Sequence, residues 1–161
     1  MKNEELSQVV KTVISQISKT KMTLSLAREL IAEVEKKAEK IGVNAVVAVS
    51  NEAGNIVAVE CMDDAYIASY DVAVNKAFTV VALKMPTITL KPLAQPNQSL
   101  YGIQFTNNGR IVIFGGGDPL TYNGVIVGGL GVSGGTEEQD TMLSEYGAKI
   151  FEDIINERSN T

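Results

Sequence analysis

The sequence predicts an α+β fold, a single domain in which helices cover an antiparallel sheet. Apolar residues recur at three- and four-residue spacing over several long segments, the signature of helices with one buried face. Short β-rich runs come in pairs joined by turn residues, which reads as hairpins and so as antiparallel pairing. The chain of 161 residues, 45% hydrophobic and 20% charged, suits one domain able to bury a sizeable core.

Each element follows from a local pattern. Leu6, Val9, Val10, Val13, Ile14 and Ile17 fall on one stripe, with Glu5, Lys11, Ser15 and Gln16 around the rest. Residues 1–20 therefore read as an amphipathic helix with a polar connector at 18–21, and residues 21–161 as the domain proper. A second helix starts near Thr23 or Ser25 and buries Leu26, Leu30, Ile31, Val34, Ala38 and Ile41; Gly42 stops it as a C-terminal cap. Residues 45–49 and 56–59 read as strands, joined through Asn51, Gly54 and Asn55, which tolerate positive φ. Tyr66, Tyr70, Val74, Ala77, Phe78 and Val81 repeat at helical spacing until Pro86 interrupts. Residues 87–94 add a turn or two of helix, and residues 95–109, rich in Pro, Asn, Gln, Ser and Gly, form a long loop of the kind that often carries function. Residues 111–114 and 125–127 are the remaining strand signals, with Asn123-Gly124 as a hairpin turn. Thr136 to Gln139 is a capping box that opens a last helix through Met142, Leu143, Tyr146, Ile150 and Ile154.

Composition narrows the chemistry. The chain has no histidine and no tryptophan, and Cys61 is its single cysteine. Without histidine, Ser-His-Asp and Cys-His catalysis, HExxH sites, Cys/His zinc fingers and haem on a proximal histidine are excluded. One cysteine makes neither an internal disulfide nor a structural zinc site, which points to the reducing cytoplasm. A net charge of -5 with dispersed lysines argues against nucleic acid. No apolar run suits a secretory signal or a membrane span.

Gly129-Leu130-Gly131-Val132-Ser133-Gly134 matches G-x-G-x-x-G between a strand and a helix. A dinucleotide fold needs a second parallel strand after that helix, and here the helix is the final element. Two readings remain: amides of Gly134, Gly135 and Thr136 receiving an anion at the helix start, or glycines that let a strand pack closely and turn. Gly115, Gly116 and Gly117 allow a flexible turn or a close backbone approach to a ligand. Arg110, before the strand at 111–114, is the leading candidate for gripping an anion with its planar fork, against a plain surface arginine in a turn. Lys76, set among apolar neighbours, reads as a pocket cation or a snorkelling lysine. Glu60, Asp63, Asp64 and Asp71 could serve acid-base work if buried, or form a solvated acidic surface. Tyr66, Tyr101, Tyr122, Met62, Met85 and Cys61 could line a cavity or ligate iron, or simply pack.

Several ordered segments, at residues 22–27, 47–55, 75–79, 108–111, 115–120 and 129–135, together resemble the GlcG/HbpS-like family, whose domain also forms the C-terminal part of PduO-type corrinoid adenosyltransferases. The resemblance covers the chain from Met22 onward and implies a profilin-like antiparallel five-stranded sheet covered by helices. It also implies ligand binding: some members bind haem, and others accompany glycolate, glycerol or propanediol pathways. Where a ligand to the haem iron is assigned it is a histidine, so that route does not carry over and the cofactor stays unknown. Residues 4–17 are similar to the encapsulation peptides that direct enzymes into bacterial microcompartments, whose amphipathic helix lays its apolar stripe in a partner's groove. The alternative is that this helix caps the domain's own core or an oligomer interface.

The expectation is a small-ligand-binding accessory protein of a bacterial microcompartment, a cytoplasmic homo-oligomer that reaches the microcompartment lumen through shell or cargo partners. Its pocket is expected near Lys76, Arg110, Gly115, Gly116, Gly117, Gly134 and Gly135. The alternatives are an enzyme acting on a small hydroxy acid, aldehyde or tetrapyrrole without histidine, and a structural adaptor between cargo and shell.

Overall fold

A computed structural model describes residues 3–19, those from 15 onward as backbone only, and residues 21–158. The elements run α1 (Asn3–Lys19), α2 (Leu24–Lys40), β1 (Val46–Asn51), β2 (Ile56–Cys61), α3 (Ile67–Leu83), α4 (Thr87–Leu93), two 3-10 turns (Ile103–Phe105 and Asn107–Gly109), β3 (Gly117–Tyr122), β4 (Val125–Ser133) and α5 (Glu137–Arg158). The strands form one antiparallel sheet in the order β2-β1-β4-β3. The described residues thus hold four strands where five were expected.

The sheet is covered on both faces. Leu26, Leu30, Ile31 and Val34 of α2, with Leu143 and Phe151 of α5, pack on Val47, Val49, Leu120, Leu130 and Val132. Large side chains buried this way contribute about 1.5–3 kcal/mol each. On the opposite face Ala73 and Ala77 of α3 meet Val46 and Ala48. Here small residues decide the geometry: a Cβ on Gly131 would lie 2.0 Å from the Ala73 carbonyl oxygen, and one on Gly129 would lie 2.3 Å from that of Ala77. Two glycines of the G-x-G-x-x-G match therefore seat a helix directly on the sheet, the close-packing reading.

The helix ends follow their sequence signals. Thr23 Oγ1 accepts the Leu26 amide at 3.2 Å, and Gly42, at φ 71, lets the Gly42 and Val43 amides return to Glu39 and Ala38. In the capping box the Thr136 amide donates to Gln139 Oε1 at 2.9 Å and the Gln139 amide to Thr136 Oγ1 at 3.2 Å.

One strand expectation is corrected. Residues 111–114 form no strand; they run along α3, where the Val112 amide donates to Thr79 Oγ1 at 3.0 Å. The strand is β3, which starts at Gly117, the last of the three glycines read as a flexible turn or a close approach to a ligand, and continues through Asp118 and Pro119. Proline is tolerated because β3 is an edge of the sheet, where an amide on the open side has no ladder partner to lose.

On α1, Leu6, Val9, Val10, Val13 and Ile14 are 45% to 60% exposed. The side chain of Ile17, the last residue expected on that stripe, lies outside the described residues. No described helix is long and apolar enough to cross a membrane.

Candidate functional site

The first turn of α5 ties the two glycine segments to α3. Lys76, fully buried, donates to the Val132 carbonyl at 2.7 Å and to Asp140 Oδ2 at 3.0 Å, and its ammonium lies 5.0 Å from the centre of the Phe114 ring. The other oxygen of Asp140 accepts the Gly135 amide at 2.9 Å. Burial pulls the Lys76 amine below its ordinary value and pushes the Asp140 carboxyl above its own, while the partner's charge opposes each displacement. Such a pair holds only while both members are present, because either charge alone would be stranded in the interior.

The glycine run at 115–117 is locked in the same way. The Gly115 amide donates to Glu137 Oε1 at 2.9 Å, and Glu137 Oε2 pairs with Lys91 of α4; these two partners hold the Glu137 carboxyl below the usual range. The Gly117 amide donates to Thr87 Oγ1 at 2.9 Å, and the Gly116 carbonyl accepts the Val132 amide at 2.7 Å. A side chain on Gly116, at φ 105, would meet the Lys76 ammonium at 2.5 Å. The amides of Gly115, Gly117, Gly135 and Thr136 therefore all serve partners inside the protein. Asp140 stands where an anionic ligand was expected at the amino end of α5, so Lys76 and the glycines make a wall and not an open cradle.

Beside that wall lies a cleft of about 450 Å³, lined by Gly42, Val43, Asn44, Asp64, Tyr66, Gly134, Gly135, Thr136 and Gln139. Three turns converge on it, those after α2, before α3 and before α5. Its rear is rigid: Gly134 has φ 154, and a Cβ there would lie 2.4 Å from the Asn44 carbonyl oxygen. Tyr66, at its lip, is 73% exposed, so its phenol is accessible.

Arg110 does not share this cleft. Its guanidinium lies 3.6 Å from the centre of the Phe78 ring on α3, twelve residues or about 18 Å along the helix from Tyr66. The single pocket expected to hold Lys76, Arg110 and both glycine segments is thus distributed over an interior network and two separate places. Glu60, Asp63 and Asp71 are exposed, the solvated surface reading, and Asp64 alone of the acidic group lines the cleft. Met62 packs against the core with its sulfur accepting the Ala45 amide at 3.3 Å, Tyr122 packs against the same core, and Cys61 and Tyr101 are exposed.

Four polar residues of this region carried no signal in the sequence. Asp140 and Thr87 read as ordinary helix positions, and Asp118 with Ser144 emerges only where β3 meets α5. Ser144 Oγ donates to Asp118 Oδ2 at 2.5 Å, and burial raises the Asp118 pKa to about 6, with the Ser144 hydrogen bond opposing and Glu145 adding to the rise.

Comparison with known proteins gives a consistent picture. The family model described as haem degrading protein HbpS-like matches residues 22–149. An uncharacterized 15.0 kDa protein from the dhaT-dhaS intergenic region of Citrobacter freundii is 44% identical over 133 residues, 83% of this chain and 94% of that protein. Corrinoid adenosyltransferase PduO of Salmonella typhimurium is 36% identical over 117 residues, 73% of this chain but 35% of PduO. Among solved structures, a PduOC:haem complex superposes with a TM-score of 0.77 at 32% identity, covering 80% of this chain and 94% of that one.

Proposed function

The chain belongs to the HbpS-like family, and from that premise we propose that it is a small-ligand-binding accessory protein of a bacterial microcompartment or a related catabolic pathway. The observation that carries this reading is the cleft at the amino end of α5. Its walls are set by the hydrogen bonds of the Gly135 and Thr136 amides to Asp140 and Gln139, and its volume falls within the range of small-molecule sites. Similarity to PduO supports the pathway context, and the haem complex of a solved relative supports a small-molecule ligand.

In this reading the lining groups Tyr66, Asp64 and Asn44 touch the ligand. Gly134 and Gly135 bring the backbone close to it, and Lys76 with Asp140 positions those glycines. A haem held through imidazole does not fit this chain, which has no histidine. The sulfur of Met62 already accepts the Ala45 amide, whereas the cleft presents exposed oxygen donors in the Tyr66 phenol and the Asp64 carboxylate.

The stripe of α1 supplies a docking element. Five apolar side chains exposed on one helical face match the helix-in-groove mode of recognition, which supports a role in drawing the domain to shell or cargo proteins in the microcompartment lumen. For the expected self-association of the domain, Ile67, 98% exposed, and Phe105, 81% exposed, are apolar side chains open to a second copy.

Thermal-shift and calorimetric screening of the full chain with haem, corrinoids and small carboxylates tests the cleft. A ligand that raises the melting temperature of the wild type but not of Tyr66→Ala and Asp64→Ala supports the assignment. Shifts unchanged in both variants would sink it. Deleting residues 1–20 is expected to abolish co-localisation with shell proteins while leaving the melting temperature within about 2 °C. Unchanged localisation would remove the targeting role.

A further inference from the structure

We infer a second ligand site at the opposite end of the sheet, where Arg110 on its Phe78 platform receives the carboxylate of a small acid whose short apolar body enters the neighbouring cleft. It is independent of the cleft at the amino end of α5.

Arg110 is built for recognition more than for surface solubility. Its backbone is fixed on both sides: its amide donates to the Asn107 carbonyl at 3.2 Å, and its own carbonyl accepts from Thr79 Oγ1 at 3.2 Å. Its guanidinium is fixed too, stacked on Phe78, whose ring is held by the β1–β2 turn; a Cβ on Gly54 would lie 2.9 Å from that ring. Stacking uses the face of the guanidinium and leaves its edge, which carries the five donors, for a partner. Among the described residues no carboxylate lies within ion-pair distance of it, and no hydrogen bond uses its donors. By contrast Lys76, Lys91 and Arg158 all have acidic partners. A cation held rigid without an acceptor has already met the ordering cost of binding one.

The adjoining surface supplies the rest. A cleft of about 470 Å³ is lined by Glu52, Val81, Lys84, Gly124, Val125 and Ile126. It begins one helical turn along α3 from Phe78 and reaches the β1–β2 turn that Phe78 touches. Both hairpin tips converge here because β1 and β4 run antiparallel, with Asn51 opposite Gly128. The cleft offers apolar floor from Val81, Val125 and Ile126, a second cation from Lys84, and one opposing charge from Glu52. Arg110 stands outside this lining, on the Phe78 side, so the combination suits a monocarboxylate with its head on Arg110 and its chain on the valines, Lys84 adding positive charge to the cleft.

The test is a titration of the isotope-labelled full chain with acetate, butyrate and inorganic phosphate, followed by NMR at the Arg110 Nε–H and at the amides of Gly54, Val81 and Gly124. Butyrate is expected to move these signals with a dissociation constant on the order of 1 mM. It should bind about fourfold tighter than acetate for each methylene that is buried. Arg110→Ala should weaken butyrate about tenfold or more, Arg110→Lys should bind less well than wild type because it lacks the planar fork, and Glu52→Gln should bind more tightly. Tyr66→Ala should bind as wild type, which separates this site from the first. No movement of these signals with butyrate, equal affinity for acetate and butyrate, tighter binding of phosphate, or wild-type affinity in a folded Arg110→Ala would each overturn the assignment.

Discussion

Replacing Asp118 by asparagine is expected to stabilise the protein at neutral pH and much less in mild acid. Asp118 is 8% exposed between β3 and α5, and its pKa stands at about 6 against an ordinary 3.8. A carboxyl whose folded pKa is raised binds its proton more tightly in the native state than in the unfolded chain. Stability from this group is therefore present below pH 3.8, falls as the pH rises towards 6, and levels off above it. The difference corresponds to about 3 kcal/mol of cost at pH 7.5 and about 1 kcal/mol at pH 4.5. Asparagine keeps an oxygen to accept the Ser144 hydroxyl and carries no charge, so Asp118→Asn should gain about 1–3 kcal/mol at pH 7.5. At about 2–4 °C per kcal/mol this is a visible rise in melting temperature. Urea unfolding of both proteins at pH 7.5 and 4.5 measures it. A difference independent of pH, or a variant less stable than wild type at pH 7.5, would refute the reasoning.

Two further comparisons probe the packing. Lys76→Met leaves the Asp140 carboxylate buried without its cation and is expected to cost about 3–5 kcal/mol, part of which the double variant with Asp140→Asn should recover; denaturant melts of the three proteins decide this. Gly131→Ala forces a methyl to within 2.0 Å of the Ala73 carbonyl and should cost about 3 kcal/mol or more, whereas Gly42→Ala, with open space but φ +71, should cost only about 1–2 kcal/mol. Comparable losses by calorimetry would show that α3 can move off the sheet.

The elements that were legible are those whose signal is local. The α2 cap at Thr23 and Gly42, the capping box at Thr136 and Gln139 and the β1–β2 hairpin each reside in a few neighbouring residues, and each is where the pattern put it; the periodicity of α3 located the helix but not its buried face, since Tyr66 and Tyr70 are exposed and Ser69, Ala73, Lys76 and Val80 are buried beside Ala77. The strand at 111–114 failed because a short continuous apolar run, Ile111 to Phe114, is equally compatible with a segment laid along a helix. Its place was taken by Gly117–Tyr122, whose glycine and proline are poor strand formers but serve at an edge beside Gly129 and Gly131.

By itself the sequence determined the α+β class, the helix ends, the family, and the absence of any histidine-based chemistry, because these depend on residue type and short-range order. Only the tertiary structure decided what the charged and glycine residues do. Lys76 and Asp140 are 64 positions apart, and whether a lysine is a pocket cation or the buried half of an ion pair depends on which carboxylate the fold delivers to it. The same holds for Arg110, whose availability as an anion receptor rests on the Phe78 ring that a helix 32 residues earlier places beneath it and on the acidic residues the fold keeps away.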